Sequence, residues 1–278
     1  MELLSWIDPT KLNTDWLNEN ENALEYLNKH KNLIRLRHIV TNPSFKILVM
    51  ENDLIHSLFS LYPTLFSNPQ PGIETYIRTL DYTTQHWYYI CKNPECINLI
   101  IENPKNYEYN WRIISGNCKA VPFLLQHFDK IHWDRLSANP SAEAVELLLQ
   151  YPQNINLPAF STNPFATDYL RLHFEKIDFW GLSWNYNAVD ILEKNLHRDI
   201  CWVGLSQNKN AIHLLEKNQH KINWTQLSTN PAIFNYPYSK MSLQRTDILR
   251  EELMMKTLHP SKILYWLENG MDIDDLPE

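Results

Sequence analysis

Side chains able to do chemistry are few and widely spaced in this sequence. His127 and His132 are the best local pair among eleven histidines. Two imidazoles five residues apart could share one metal ion, but the pair lacks the four-ligand spacing of a zinc site, and His132 stands directly beside Trp133. Cys91 and Cys96 flank Asn93-Pro94 and read as small buried thiols rather than as a nucleophile. With Cys118 and Cys201 they are too few and too scattered for a disulfide framework, which predicts reduced thiols in an intracellular protein. Asp272, Asp274 and Asp275 have the spacing of half a calcium loop and read as an acidic tail. The five glycines, Gly72, Gly116, Gly181, Gly204 and Gly270, stand too far apart to cradle a phosphate. No serine, histidine and acid form a nucleophile motif. The expectation is a protein without catalytic residues, metal or cofactor.

Composition narrows the class further. The 278 residues are 44% hydrophobic and 21% charged, with a formal net charge of −7. No run of 18 apolar residues occurs, so no membrane-spanning helix is expected, and Met1 to Thr10 lacks the basic and apolar regions of a targeting leader. An acidic balance disfavours a phosphate-backbone partner, and the basic stretch Lys29, Lys31, Arg35 and Arg37 reads as a solvated face.

What dominates the chain is a repeat. The phrase Leu227-Ser-Thr-Asn230-Pro231 has earlier copies beginning at residues 17, 39, 65, 90, 114, 136, 160, 182 and 205, spaced 22 to 26 residues apart. Its fourth residue is asparagine in all ten copies: Asn20, Asn42, Asn68, Asn93, Asn117, Asn139, Asn163, Asn185, Asn208 and Asn230. Proline follows in six of them, as expected where asparagine caps a helix and proline occupies the first turn, whose N–H groups have no partner. A row of asparagines could instead hold the backbone of an extended peptide, but proline directly after asparagine favours capping.

After each asparagine come a small residue and apolar residues at helical spacing, as in Ala211-Ile212 and Leu214-Leu215, predicting one buried stripe on a helix of about ten residues. Glu193-Lys-Asn195 and Glu216-Lys-Asn218 close that helix, with asparagine suited to the left-handed C-terminal conformation. A large ring stands three residues before most phrases: Tyr62, Trp87, Trp111, Trp133, Phe179, Trp202 and Trp224. Its spacing predicts a short second helix or 3₁₀ turn, with the ring pinning the stacking register. A leucine-rich repeat has a similar period but needs apolar alternation before its asparagine, where this phrase steps by three.

These patterns predict an all-α fold: an α-solenoid of nine to ten helical repeats over residues 17–230, with an N-terminal cap over 1–16. A C-terminal helical cap and acidic tail complete it over 231–278, giving one continuous elongated domain on the order of 80 Å long.

The phrase Leu-Ser-x-Asn-Pro-x-Ala-Ile-x-Leu-Leu-Glu-x-Asn-x-x-Lys-Ile-x-Trp resembles the Asn-Pro repeat proteins of giant nucleocytoplasmic large DNA viruses. His259-Pro-Ser-Lys-Ile-Leu-Tyr-Trp-Leu-Glu-Asn-Gly270 is similar to the tail that closes many proteins of those genomes. The resemblance implies a viral repeat scaffold in the host cytoplasm, the viral factory or the virion, and brings no activity with it. The expected function is a non-enzymatic protein–protein interaction scaffold within a multiprotein complex, its partner a viral or host protein. Asn210, His213, Glu216 and Lys217 are the expected partner surface. The alternatives are a helical repeat that binds nucleic acid by stacking bases on the junction rings, and a structural component of the virion or its assembly.

Overall fold

The computed structural model describes residues 2–44, 59, 62–80, 83–108 and 110–235. It is mostly helical, and among these residues the β-structure is a two-residue strand pair, Glu2–Leu3 with Phe234–Asn235. The expected C-terminal helices and the acids Asp272, Asp274 and Asp275 lie outside the described residues. The chain divides into one unit, Leu3–Phe234, and a second of Met1–Glu2 with Asn235–Glu278. All that follows concerns the first, and this division differs from the expected boundaries at residues 16 and 230.

Among the described residues a repeat is a short helix that carries the phrase, a corner at the asparagine, and a second helix that carries the apolar stripe. Phrase helices include Thr14–Glu19, Trp87–Lys92, Trp111–Ile114, Trp133–Ser137, Leu157–Thr162, Phe179–Leu182, Trp202–Gln207 and Trp224–Leu227. Several begin on a side-chain cap at the residue before or at the junction position. Asn156 Oδ1 accepts from the Ala159 amide at 3.0 Å, and Asn223 Oδ1 from that of Gln226 at 3.0 Å.

The repeat asparagine then does two things with its backbone. It closes the phrase helix, its N–H donating three residues back, and its extended conformation, as at Asn163 (φ −78°, ψ 119°), turns the chain into the next helix. Its Oδ1 accepts from the amide two residues on: Glu95 at 3.0 Å, Phe165 at 3.0 Å, Asn210 at 3.1 Å and Ala232 at 2.9 Å. These bonds satisfy amides that the opening turn cannot pair internally.

The second helices include Leu24–Lys29, Ile97–Glu102, Val121–Leu125, Ala142–Gln150, Thr167–Leu172, Val189–Lys194 and Ile212–Lys217. Their buried pairs, Leu99-Ile100, Phe123-Leu124, Leu147-Leu148, Ile191-Leu192 and Leu214-Leu215, form the core with the phrase leucines. Most are six residues long rather than about ten, and their ends are not left-handed. Asn218 has φ −128°, and no described residue other than glycine has positive φ. The closing asparagine acts through its side chain instead. Nδ2 of Asn103, Asn195 and Asn218 donates to the carbonyl four residues back, at 2.8, 2.8 and 2.9 Å, so the last turn is satisfied without a left-handed residue.

Where the repeat asparagine caps, it uses only its oxygen; Asn68 and Asn139 leave Oδ1 without a partner. The Nδ2 group reaches into the preceding repeat and donates to two carbonyls there, those of the second and fourth phrase residues. Asn139 meets Ser115 O and Asn117 O, both at 2.9 Å, and Asn230 meets Ser206 O and Asn208 O, both at 3.0 Å. All ten asparagines make this pair of contacts, and all are buried. The phrase serine builds a second ladder. Ser137, Ser161, Ser183 and Ser206 accept through Oγ from the amides of Asn156, Asp178, Cys201 and Asn223 in the following repeat, at 2.9 to 3.0 Å. Asparagine at the fourth place, and serine at the second in the six copies that have it, thus pair backbone groups that stacking would otherwise bury unsatisfied.

The same rules join the last repeat to the first. Asn20 Nδ2 donates to Ser228 O at 2.9 Å and Asn230 O at 2.8 Å, and the Asn13 amide to Ser228 Oγ at 2.8 Å. Asn22 Nδ2 meets Pro231 O as Asn187 Nδ2 meets Pro164 O, and Lys11 lies over the Trp224 ring as Lys221 lies over Trp202. The Leu4 amide donates to Ile233 O at 2.9 Å. The ten repeats therefore close on themselves. The expectation of an elongated array with an N-terminal cap over 1–16 is overturned, because those residues supply the return segment that stacks on the tenth phrase. The echo of Lys221-Ile-Asn223 in Lys11-Leu-Asn13 is the sequence trace of this closure.

Candidate functional site

The ten asparagines do not form a surface row for an extended peptide, because their amide donors are spent inside the stack. Asn139 is the informative variant. In its repeat, Ser141 caps the helix Ala142–Gln150 by accepting from the Ala144 amide at 3.2 Å, and Asn139 Oδ1 has no partner. Its Nδ2 contacts persist, so the inter-repeat ladder is kept even where capping has passed to another residue.

The junction rings pack between repeats. Trp87 is buried, and Tyr62, Trp111, Trp133, Phe179, Trp202 and Trp224 are half-buried. Trp111 stacks on Phe123 with centroids 5.6 Å apart and planes 10° apart, while Trp133 meets Phe128 and Tyr151 at 5.4 and 5.7 Å. Phe179 lies under Arg198, Trp202 under Lys221 and Trp224 under Lys11, at 4.6 to 5.5 Å. Base stacking on these faces would compete with contacts already made.

The residues that invited metal or thiol chemistry are accounted for by packing. His127 lies against Trp111 and Phe123, and the His132 amide donates to Ser115 Oγ. Among the described residues no three His, Cys, Asp or Glu gather as a metal site would require. Burial pushes the Cys91 and Cys96 thiols up to about 12, which removes the thiolate at neutral pH. In the native protein at pH 8, a thiol reagent is therefore expected to spare Cys91 and Cys96 and to modify Cys118, which is partly exposed, with the first two appearing only on unfolding. Fast modification of Cys91 or Cys96 in the folded chain, read by mass spectrometry, would contradict this.

No family model matches the chain, and neither the curated proteins nor the solved structures searched give a match.

Asn210, His213, Glu216 and Lys217 lie together on the outer side of Lys209–Ala211 and Ile212–Lys217, all exposed. Asn210 Nδ2 is committed to Tyr186 O at 2.7 Å, and His213 and Lys217 both approach Glu193 of the preceding repeat, at 3.7 and 3.9 Å. Such pairing across repeats recurs: Arg171 is bidentate on Asp190, Arg78 bridges Glu74 and Glu102, and Lys119 meets Glu95 at 2.7 Å. The Arg171 guanidinium holds the Asp190 carboxyl below the usual carboxylate range.

A different surface was missed by the sequence reading. The residue just after the buried pair is Glu193 or Glu216 in the later repeats, but Ile101, Leu125 and Leu149 in three successive earlier ones, exposed by 47, 52 and 42%. In the next repeat Arg171 holds that place, and Leu172, one residue on, is exposed by 82%. Aligning the repeats on their buried pairs, not on the asparagine, makes this row legible, because the repeat of Asn139 carries extra residues before its helix.

Proposed function

We propose that this chain is a non-enzymatic interaction scaffold, an α-solenoid of ten repeats closed into a ring, which docks another protein on the row Ile101, Leu125, Leu149 and Leu172. That exposed row carries the reading. Three large aliphatic side chains, Ile101, Leu125 and Leu149, stand exposed at equivalent places on three consecutive second helices, Leu172 lies one residue beyond that place in the next, and the ion pairs Arg78–Glu102 and Arg171–Asp190 flank the set.

Ring geometry favours the same face. A Cβ on Gly181 would collide with Pro158 O, a backbone atom of the preceding phrase helix, and one on Gly204 would meet the Trp184 ring at 2.5 Å, so neighbouring phrase helices are closely spaced at both places. In a closed ring the most closely spaced elements form the inner wall. The second helices, with the apolar row and with Asn210, His213, Glu216 and Lys217, then face outward, open to a large partner. The repeat phrase supports placing the chain among the Asn-Pro repeat proteins of giant DNA viruses, with a viral or host protein as partner in the infected cytoplasm or the particle.

The test is affinity purification of the full chain beside a Leu125→Glu, Leu149→Glu double variant. A stoichiometric protein partner should accompany the first and be lost from the second, while the two melt within about 1 kcal/mol of each other, since exposed positions contribute little to stability. No stoichiometric partner, or equal recovery with the variant, overturns the reading.

A further inference from the structure

The face of the phrase helices differs from the charge-paired outer face at one place. Lys92, Arg112 and Arg135, from three successive repeats, line a single cavity of about 240 Å³ with Tyr88, Ile113 and Gly116. On the second helices the cations Arg78 and Arg171 are each bidentate with acids. Here three cations share one carboxylate, Asp134, which stands 3.5 Å from Arg112 and is itself half-exposed. Lys92 and Arg135 have no acidic partner among the described residues. Concentrating unpaired positive charge in a chain of net charge −7 disfavours the empty site through like-charge repulsion, and an anion relieves it.

Gly116 shapes the cavity without being needed by the backbone. A Cβ there would meet only Ile113 O, at 3.5 Å, which is ordinary contact. The residue just before the asparagine is Lys92, Ala138, Thr162, Trp184 or Gln207 in other repeats, so the position accepts side chains of every size. Glycine leaves the space between Lys92 and Arg135 open. Tyr88, exposed by 47%, and Ile113 provide an apolar surface beside the cations.

The charge is local. Equivalent positions in the preceding repeat are Pro63, Thr64 and Ser67, and in the following one Pro158, Ala159 and Thr162. A nucleic-acid strand requires cations that continue along its backbone, and this path stops after three repeats. We infer that the cavity binds a small organic phosphate, its phosphate oxygens held by Lys92, Arg112 and Arg135 and its organic part resting on Tyr88. Guanidinium forks suit phosphate oxygens, and charge-assisted bonds of this kind are the strong ones. The inference does not depend on the scaffold reading.

Titration calorimetry on the full chain with ADP, adenosine and pyrophosphate tests it. ADP should bind with Kd below about 1 mM, and adenosine at least about tenfold more weakly. Gly116→Gln, which fills the cavity without removing charge, and Arg135→Gln should each weaken ADP binding at least about tenfold with unchanged melting. Should Gly116→Gln fail to fold, Lys92→Gln, at an exposed position, carries the same expectation. Absence of ADP binding up to about 10 mM, or adenosine binding as tightly as ADP, overturns the site. So does undiminished binding in the variants. Pyrophosphate binding as tightly as ADP overturns the organic part of the assignment.

Discussion

Asn208→Asp is expected to destabilise the protein by about 3 to 5 kcal/mol at pH 7, whereas Asn156→Asp should change stability by less than about 1 kcal/mol. Both asparagines cap a helix start, and capping alone treats asparagine and aspartate as near equals. Asn156 is exposed and uses only its oxygen, on the Ala159 amide at 3.0 Å. Asn208 is buried and also donates through Nδ2 to Ser183 O at 3.1 Å and Asn185 O at 3.2 Å. Aspartate at 208 keeps the acceptor for the Asn210 amide but turns the donor into a charged oxygen facing two carbonyls. Two buried acceptors lose their partner, and an uncompensated charge is placed beside them.

The sign of the pH dependence is a second readout. Burial raises the folded-state pKa of the new carboxyl above its unfolded value of about 3.9, so the penalty is full above the folded-state pKa. It fades as pH falls toward the unfolded value, where the protonated group costs less and can donate one bond. Urea unfolding at neutral and mildly acidic pH measures both effects. Equal, small changes for the two substitutions would return the repeat asparagine to a simple capping role.

Much of this fold is legible in one sequence because the repeat exposes it. Helix starts at Asn-Pro, the buried pairs and the junction rings follow from local periodicity, which capping and amphipathicity translate directly. Two features are not local. The Nδ2 ladder spans 22 to 28 residues between successive repeats and 208 to 210 at the closing junction, and nothing in the spacing of asparagine and proline distinguishes a side chain that uses its oxygen from one that uses both ends. The phrase serine gave a signal, since its hydroxyl recurs where an apolar residue would pack better, but only a partner in the next repeat explains it. Closure was hidden for another reason. Terminal repeats usually need caps, so Lys11-Leu-Asn13 read as the edge of a cap when it is the return segment of a tenth junction. At the surface, the apolar row is blurred by the extra residues around Ser141, and the cationic cavity by the 20 to 23 residues that separate Lys92, Arg112 and Arg135.

Closure makes the first asparagine as costly to lose as one in the middle. In an open array Asn20 would precede every other repeat, its Nδ2 would face solvent, and Asn20→Ala would cost only a cap, about 0.5 to 2 kcal/mol. In the closed structure Asn20 is fully buried, and its amide satisfies Ser228 O and Asn230 O as Asn185 satisfies Ser161 O and Asn163 O. Asn20→Ala and Asn185→Ala are therefore expected to destabilise alike, each by about 2 to 4 kcal/mol, from two lost bonds and two stranded carbonyls. Hydrogen exchange supplies an independent check on the unsubstituted chain. The Leu4 amide, bonded to Ile233 O, and the Asn13 amide, bonded to Ser228 Oγ, should exchange as slowly as the Asn223 amide on Ser206 Oγ. A chain end that merely frays would exchange both within the dead time of the measurement. If it does so while Asn223 stays protected, and Asn20→Ala costs no more than a cap, the ring is open and the first repeat stacks on nothing.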